Sequence, residues 1–193
     1  MDNKKVILES ALHLFYEKGY DAVSVQEIAD QSGISKPTLY YYFGSKLGLL
    51  QDLLESGYEE LESVIPDGIE EGEDLTEVLY RAARAIIDYA AANLSFYLFM
   101  LSLFYFSRKN IAFKTVSPLI EKYFRKIMVL FQDLAVERGL SEDQVRLLSS
   151  GFTGILHHHI IMVSYKLSED EKFSISDETV YQIVHQFMYG IYS

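Results

Sequence analysis

The sequence predicts an all-α fold, with a small N-terminal helical domain followed by a larger helical domain. Apolar residues recur at helical spacing along most of the chain, and residues that cap or end helices stand between these stretches. No stretch shows the alternation of apolar and polar residues that a half-buried strand requires. Counting the stretches between these capping and breaking residues gives about nine helices.

The first predicted helix covers residues 3–18. Its apolar residues, Ile7, Ala11, Leu14 and Phe15, fall on one face, and Gly19 ends it. These four side chains are therefore expected to form the inner face of the N-terminal domain.

Two short helices joined by a tight turn are predicted next. Ser24 and Glu27 have the spacing of a capping box, so a helix is expected to begin after Ser24. Gly33 supplies the turn, and Ser35 caps the following helix, which has Pro37 in its first turn. This is the helix-turn-helix arrangement, whose second helix enters the major groove of DNA.

The second of these helices has the side chains that such a helix needs to recognise DNA. Leu39 and Phe43 are four residues apart and are expected to face inward together. The other faces then present a lysine, hydroxyl groups and aromatic rings that suit base edges and phosphates, namely Lys36, Thr38, Tyr40, Tyr41 and Tyr42. The alternative is a structural hairpin, which would leave at least one of the three consecutive tyrosines exposed without a purpose.

Residues from about Ile7 to Leu50, roughly a quarter of the chain, resemble the DNA-binding domain of the TetR family of transcriptional regulators. The matching positions include Ala11, Phe15, Gly19-Tyr20, Ser24-Val25, Ile28-Ala29, Gly33-Ile34-Ser35, Thr38 to Phe43 and Ser45-Lys46. The resemblance implies base contacts from Gln26, Lys36, Pro37, Thr38 and Tyr40, and phosphate contacts from Tyr41, Tyr42 and Lys46. It divides the chain into a helix-turn-helix DNA-binding domain, residues 1–46, and a helical ligand-binding and dimerisation domain, residues 47–193.

Two positions depart from the family pattern. Gly44 stands where a polar or basic residue is common, and Leu47 stands where an acidic residue is common. Gly44 is expected to loosen the turn between the third and fourth helices.

The charge of the chain is unusual for a DNA-binding protein. The net charge is −11, and residues 1–50 hold five lysines against six acidic residues, which gives −1 for that part and −10 for the rest. A basic footprint is therefore missing from the N-terminal domain. We expect modest nonspecific affinity, and specificity that depends on well-placed individual groups.

The remaining helices follow from the same signals. The expected boundaries are Ser45 to about Val64, Asp74 to about Ala92, Asn93 or Ser95 to about Phe106, Ser117-Pro118 to Arg138, Ser141 to about Lys166, and a last helix from Ser176.

From Tyr89 to Ser107 nineteen consecutive residues carry no charge, close to the length that spans a membrane. The helix boundary at Asn93–Ser95 and the polar residues argue against such a span, so no membrane partner is expected.

The uncharged stretch is rich in aromatic residues that cover more than one helical face. They could form a packed core with a partner surface, or line a pocket for a small-molecule effector. The resemblance favours a pocket for an apolar or aromatic effector, and Asp88 would be the counter-charge if that effector were cationic. The candidate pocket residues are Asp88, Phe96, Tyr97, Phe99, Met100, Phe104 and Tyr105.

The C-terminal helices are expected to form a homodimer interface. Gly151 and Gly154 would let helices approach closely, and the last helix has an apolar stripe. The candidate interface residues are Gly151, Gly154, His158, Val184, Phe187 and Met188. The resemblance implies a four-helix bundle between two copies, and the alternative is a hairpin within one chain.

The three consecutive histidines, His157 to His159, do not predict a metal site. Consecutive residues on a helix point about 100° apart, so the three side chains cannot converge on one ion. A role for one of them, or for His185, in the pocket or the dimer interface remains open. Because the chain has no cysteine, it has neither a thiolate zinc site nor a cysteine nucleophile.

The sequence points to a regulator rather than an enzyme. No nucleophile elbow, glycine-rich phosphate loop or metal-binding helix motif is present, so no cofactor is expected. No signal peptide is recognisable, and the expected location is cytoplasmic. The conclusion from sequence is a dimeric, ligand-responsive regulator that binds double-stranded operator DNA, with a repressor favoured over an activator. The alternative is a helical adaptor or dimerisation protein without specific DNA binding.

Overall fold

The computed structural model describes residues 2–70, 72–104, 109–168 and 171–190, and these are all helix, turn or loop. The all-α prediction is confirmed, with ten helices in the described residues rather than about nine. Their bounds are α1 Asn3–Lys18, α2 Val25–Gln31, α3 Lys36–Phe43, α4 Lys46–Val64, α5 Leu75–Ala92, α6 Leu94–Phe104, α7 Ile111–Val129, α8 Gln132–Arg138, α9 Glu142–Tyr165 and α10 Asp177–Tyr189.

The chain divides into two compact units. The first consists of Met1–Glu59 and Ser95–Ile120, and the second of Glu60–Leu94 and Glu121–Ser193. Helix α4 begins in the first unit and ends in the second. The domain boundary between residues 46 and 47 stays a prediction, since the first unit also contains most of α4 and all but the first residue of α6.

The core of the first unit is built on the apolar face of α1. Ile7, Ala11, Leu14 and Phe15 are buried, as the helical spacing predicts. The Phe15 ring stacks on Phe99 of α6, with 5.8 Å between ring centroids. Aromatic pairs at this distance add a specific attraction to the burial of their surface. The stretch that carries Phe99 therefore contributes to the core beneath α1.

Gly57 explains how closely α4 and α6 approach within the first unit. A Cβ atom at this position would lie 2.2 Å from Cζ of Phe96, which is far inside van der Waals contact. Glycine in the middle of a helix weakens the helix by about 1 kcal/mol relative to alanine. Here the missing side chain leaves the space that the Phe96 ring occupies, so the glycine has a packing role.

The second unit is organised around α5, α9 and α10, which pack on one another. Arg84 of α5 donates to the Ile175 carbonyl oxygen at 2.7 Å and to Asp177 at 3.2 Å, which ties α5 to the start of α10. At the other end of α10, Phe187 forms an aromatic cluster with Phe131 and Phe152, with centroid separations of 5.5 to 6.2 Å.

The prediction of one continuous helix from Ser117-Pro118 to Arg138 is wrong, because the helix starts earlier and is divided into two. Helix α7 already begins at Ile111 and contains Pro118, and a separate helix α8 follows. A proline inside a helix leaves a carbonyl oxygen without its usual amide donor. That oxygen belongs to Lys114, and the Ser117 hydroxyl donates to it at 3.5 Å, which partly replaces the missing bond. Proline at an interior position cannot be told from proline at a helix start by local sequence alone.

The other predicted helix boundaries agree with the structure to within one or two residues wherever they are described. The capping box expected at Ser24 is formed, and Asp74 and Ser141 also form capping boxes at the predicted starts of their helices. The predicted end of the aromatic helix, Phe106, lies outside the described residues. Among the residues that the structure describes, no single helix is both long enough and apolar enough to cross a membrane.

Candidate nucleic-acid interface

The start of α2 is fixed by a reciprocal capping box. The Glu27 amide donates to Oγ of Ser24 at 3.2 Å, and the Ser24 amide donates to the Glu27 carboxylate at 2.7 Å. Lys18 of α1 donates to the same carboxylate at 3.1 Å. The bond from the Ser24 amide and then the contact with Lys18 lower the pKa of Glu27 to about 2. Glu27 therefore joins the end of α1 to the start of α2.

The turn between α2 and α3 sets the direction of α3. Gly33 has φ of 66°, a left-handed conformation that glycine adopts without steric strain. The Ile34 amide donates to the Ala29 carbonyl oxygen at 3.0 Å, and Oγ of Ser35 accepts from the Thr38 amide at 3.3 Å. These bonds satisfy the helix ends and hold α3 against α2.

Helix α3 buries one side and exposes the other. Leu39 and Phe43 are buried, as predicted. The remaining side chains form a surface that we call the α3 surface, consisting of Lys36, Pro37, Thr38, Tyr40, Tyr41 and Tyr42. Tyr41 is 84% exposed and packs edge to face on Tyr42, at 5.3 Å between centroids. A cation, hydroxyl groups and aromatic rings therefore stand on one short, rigidly capped helix.

Gly44 closes the C-terminus of α3 instead of loosening it. Its φ is 68°, and its amide donates to the Tyr40 carbonyl oxygen at 2.8 Å. Glycine is the residue that tolerates this conformation best, so the expected loosening is wrong. Leu47, the other departure from the family pattern, is half-buried and lines a cavity of about 350 Å³ with Ile111 and Pro118.

Lys46 is used inside the N-terminal region. Its Nζ donates to the Tyr20 carbonyl oxygen and lies 4.2 Å from the centroid of the Tyr20 ring. Burial lowers the pKa of Lys46, against the opposing effects of Asp21 and Glu27. In this conformation the ammonium group binds the start of α4 to the segment after α1. The predicted phosphate contact of Lys46 stays a prediction, and it would require release of this bond.

Gln26 lies on the solvent-facing side of α2, and its side chain is held by a neighbour on the same helix. Its Nε2 donates to Oδ1 of Asp30, one helical turn later, at 2.7 Å. Both residues lie on the outer side of the helix, away from the buried Ile28. Asp30 was not among the candidate residues from sequence, although the four-residue spacing of an amide and a carboxylate on one helix face is a recognisable signal.

Comparison with known proteins agrees with this geometry. Residues 7–53 match the family described as bacterial regulatory proteins, tetR family. The transcriptional regulator PfmR of the TetR family from Thermus thermophilus has 27% sequence identity and a TM-score of 0.71, with 96% of this chain and 98% of that chain covered. The N-terminal region of the chain therefore belongs to the TetR family. The transcriptional regulator FadR from Bacillus subtilis, solved with stearoyl-CoA, shares the fold at 18% identity and a TM-score of 0.71, over 97% of this chain and 98% of that one.

A curated relative matches part of the chain with higher sequence identity. The HTH-type transcriptional repressor BdcR of Escherichia coli K12 is 46% identical over 81 residues. That match covers 40% of this chain and 41% of BdcR. The chain therefore spans about two fifths of the length of this relative.

The candidate pocket residues fall into two groups. Phe96, Tyr97, Phe99 and Met100 are buried in the first unit, whereas Phe104 is 45% exposed. Asp88 belongs to the second unit, where it is exposed and accepts from Arg84 at 2.6 Å. Tyr105 lies outside the described residues. The four buried side chains act as core in this structure, and an effector pocket built from this set stays a prediction.

The candidate interface residues also divide by exposure. Gly151, Gly154 and His158 are exposed on α9, and Phe187 and Met188 are half-buried on α10. Val184 is fully buried within its own chain, so in this conformation it cannot contact a second copy. The apolar stripe of α10 that suggested Val184 packs inward instead.

The histidines occupy different environments, as expected for consecutive helical residues. Nε2 of His157 lies 3.2 Å from the Tyr123 hydroxyl, and burial lowers the pKa of His157 to about 4. His158 is exposed, and the His185 ring packs at a tilted angle against both Tyr181 and Tyr189 on α10. Within the described part of the chain, no three histidine or acidic side chains are grouped so that they could hold a metal ion.

Proposed function

We propose that the protein is a dimeric, effector-responsive regulator of transcription that binds operator DNA through α3. The observation that carries this proposal is the exposed α3 surface on a helix whose two ends are capped and whose other side is buried. Its lysine, hydroxyl groups and aromatic rings match the groups displayed in the major groove and on phosphates. The similarity of part of this chain to a repressor supports repression as the direction of control.

A two-fold dimer would present two α3 helices to the halves of a palindromic operator. Helix α9 supports this part of the proposal, because its exposed residues form a continuous face opposite its buried one. That face combines large apolar side chains with two exposed glycines, and its members are Leu147, Gly151, Gly154, Ile155, His158, Met162 and Tyr165. We call it the α9 face. Leu147 is 74% and Tyr165 is 86% exposed, and apolar surface on this scale is suited to burial by a second copy.

Effector binding would act through α4. This helix begins shortly after the end of α3, and it continues from the first unit into the second. A ligand that changes the second unit would move α4 and thereby change the separation of the two α3 helices in the dimer. Operator affinity falls when that separation no longer matches successive major grooves.

Specific DNA binding separates this proposal from the adaptor alternative. Genomic fragments are selected on the immobilised protein, and the enriched fragment is then titrated by fluorescence anisotropy. Lys36→Ala and Tyr40→Ala are expected to weaken specific binding, whereas Glu178→Ala, at an exposed position on α10, changes no DNA contact. Circular dichroism checks that every variant keeps its helix content. An adaptor would enrich no fragment, and its variants would be indistinguishable in this assay.

The first effector to test is stearoyl-CoA, because it is the ligand of the fold neighbour FadR from Bacillus subtilis. It is added to the preformed protein–DNA complex, with free coenzyme A as the control for its polar part. Release by the acyl form alone would identify a long-chain acyl effector. Retention of DNA with both compounds would exclude stearoyl-CoA as the effector and direct the search to other apolar or aromatic molecules.

A further inference from the structure

The bond between Gln26 and Asp30 determines which end of the Gln26 amide faces away from α2. An amide side chain offers a carbonyl oxygen, which accepts, and an NH2 group, which donates. An ionised carboxylate only accepts, so the atom of Gln26 that lies 2.7 Å from Oδ1 of Asp30 has to be the nitrogen. The orientation of this amide therefore follows from chemistry.

The consequence is a pair of acceptors on the outer side of α2. One N–H of Nε2 is engaged by Asp30, so Gln26 keeps Oε1 and a single remaining N–H, and Asp30 still has the second oxygen of its carboxylate. Positions 26 and 30 are one helical turn apart, so the two groups are neighbours on the side of α2 opposite the buried Ile28. No lysine or arginine is paired with Asp30 among the ion pairs of the described residues.

Bases differ in what they offer to such acceptors. In the major groove adenine and cytosine carry amino groups, which donate, whereas guanine and thymine carry only acceptors at the equivalent edge. A glutamine that is free to rotate pairs with both atoms of an adenine edge, or offers its NH2 group to the acceptors of guanine and thymine. A glutamine held with its oxygen outward accepts from an amino group and meets an unfavourable acceptor at guanine or thymine.

We propose that Asp30 is a positioning residue for DNA recognition, which holds Gln26 as a hydrogen-bond acceptor and thereby selects adenine or cytosine over guanine or thymine at one position of each half-site. This inference rests on the proposed function, because it requires that Gln26 reaches a base edge. Asp30 touches no base in this scheme and acts through Gln26. The acidic side chain also repels phosphates, so it costs nonspecific affinity while it sharpens the choice of base.

The test is selection from a randomised DNA library by the full-length protein and its variants, read out by sequencing. Wild-type protein is expected to prefer adenine or cytosine about tenfold over guanine or thymine at one position per half-site. Gln26→Ala removes the preference at that position and leaves the rest of the motif intact. Asp30→Ala frees the amide, and the preference at the same position falls below about threefold.

Two further variants separate orientation from charge. Asp30→Asn keeps the shape of the side chain and still offers Gln26 a hydrogen-bond partner. Because an asparagine amide can donate or accept, the Gln26 amide can then bond in either orientation. The base preference at this position is therefore again expected to fall. Glu17→Gln removes one negative charge from an exposed position on α1 and is expected to keep the wild-type preference. Because relative base preferences are compared, a general gain in affinity does not affect the result.

The outcomes distinguish this inference from the proposed function. A motif that is clear in the wild type and unchanged by Asp30→Ala overturns the positioning role and leaves the function intact. A position that depends on Gln26 but selects guanine or thymine also overturns it, because the amide would then be donating. A wild-type protein that enriches no sequence overturns the proposed function, and this inference with it.

Discussion

His157 is expected to make the second unit less stable as the pH falls. Its pKa is lowered from 6.5 to about 4 by burial, which disfavours the charged form in the folded state. When the pKa of a histidine is lower in the folded state than in the unfolded state, its contribution to stability is fully present at pH values above the unfolded-state pKa. That contribution is lost as the pH falls toward the folded-state pKa. The loss from His157 therefore begins near pH 6.5 and continues down to about pH 4.

The magnitude follows from the two pKa values. Between about pH 7.5 and about pH 5 the linkage relation gives a loss of about 2 kcal/mol in the free energy of unfolding from this group. The His157 side chain keeps a small exposed fraction, so this is the upper limit of its contribution. A loss of that size is a large part of the stability of an ordinary domain.

The assay is urea denaturation followed by circular dichroism at both pH values. Wild-type protein is compared with His157→Gln, which cannot become charged but can still accept a hydrogen bond from Tyr123. His158→Gln, at the exposed neighbouring position, is the matched control. The pH-dependent loss is expected to be smaller in His157→Gln than in the wild type by up to about 2 kcal/mol, and unchanged in His158→Gln. Equal losses in all three proteins would refute the reasoning.

Three other substitutions test the packing, the capping and the proposed interface. Gly57→Ala introduces a Cβ 2.2 Å from the Phe96 ring and is expected to cost about 1–3 kcal/mol in chemical denaturation, with partial rescue by Phe96→Leu. Full stability of the single variant would show that the ring moves freely. Ser24→Ala removes the cap of α2 and is expected to cost about 1 kcal/mol, measured in the same way, and a change near zero would contradict the role of the capping box. Leu147→Glu places a charge on the α9 face and is expected to shift sedimentation from dimer to monomer. If the variant remained a dimer, the interface would have to lie on another surface.

The N-terminal part of the fold could be predicted from sequence because its signals are local. The capping box of Ser24 and Glu27 acts within one helical turn, and Gly33 has the conformation that the turn requires. The alternation between the buried Leu39 and the exposed tyrosines follows from helical spacing alone. Such features need no knowledge of the rest of the chain.

The sequence could not supply the contacts that depend on residues far away along the chain. Lys46 looks like an exposed phosphate ligand until the Tyr20 carbonyl and ring are placed beside it. Val184 belongs to an apolar stripe, and only the packing of α10 on α5 and α9 shows that the stripe faces its own chain. No local pattern contains this information.

The most direct test of the regulator proposal is fluorescence anisotropy of the purified protein on the DNA that flanks its own gene. The titration is made at two salt concentrations with an excess of unrelated competitor DNA, because nonspecific binding weakens steeply with salt and specific binding survives competition. We predict tight, competitor-resistant binding that saturates at one or more dimers per site. The proposal would be contradicted if the competitor abolished binding to this DNA and to every fragment from a genome-wide selection. That result would favour a helical adaptor.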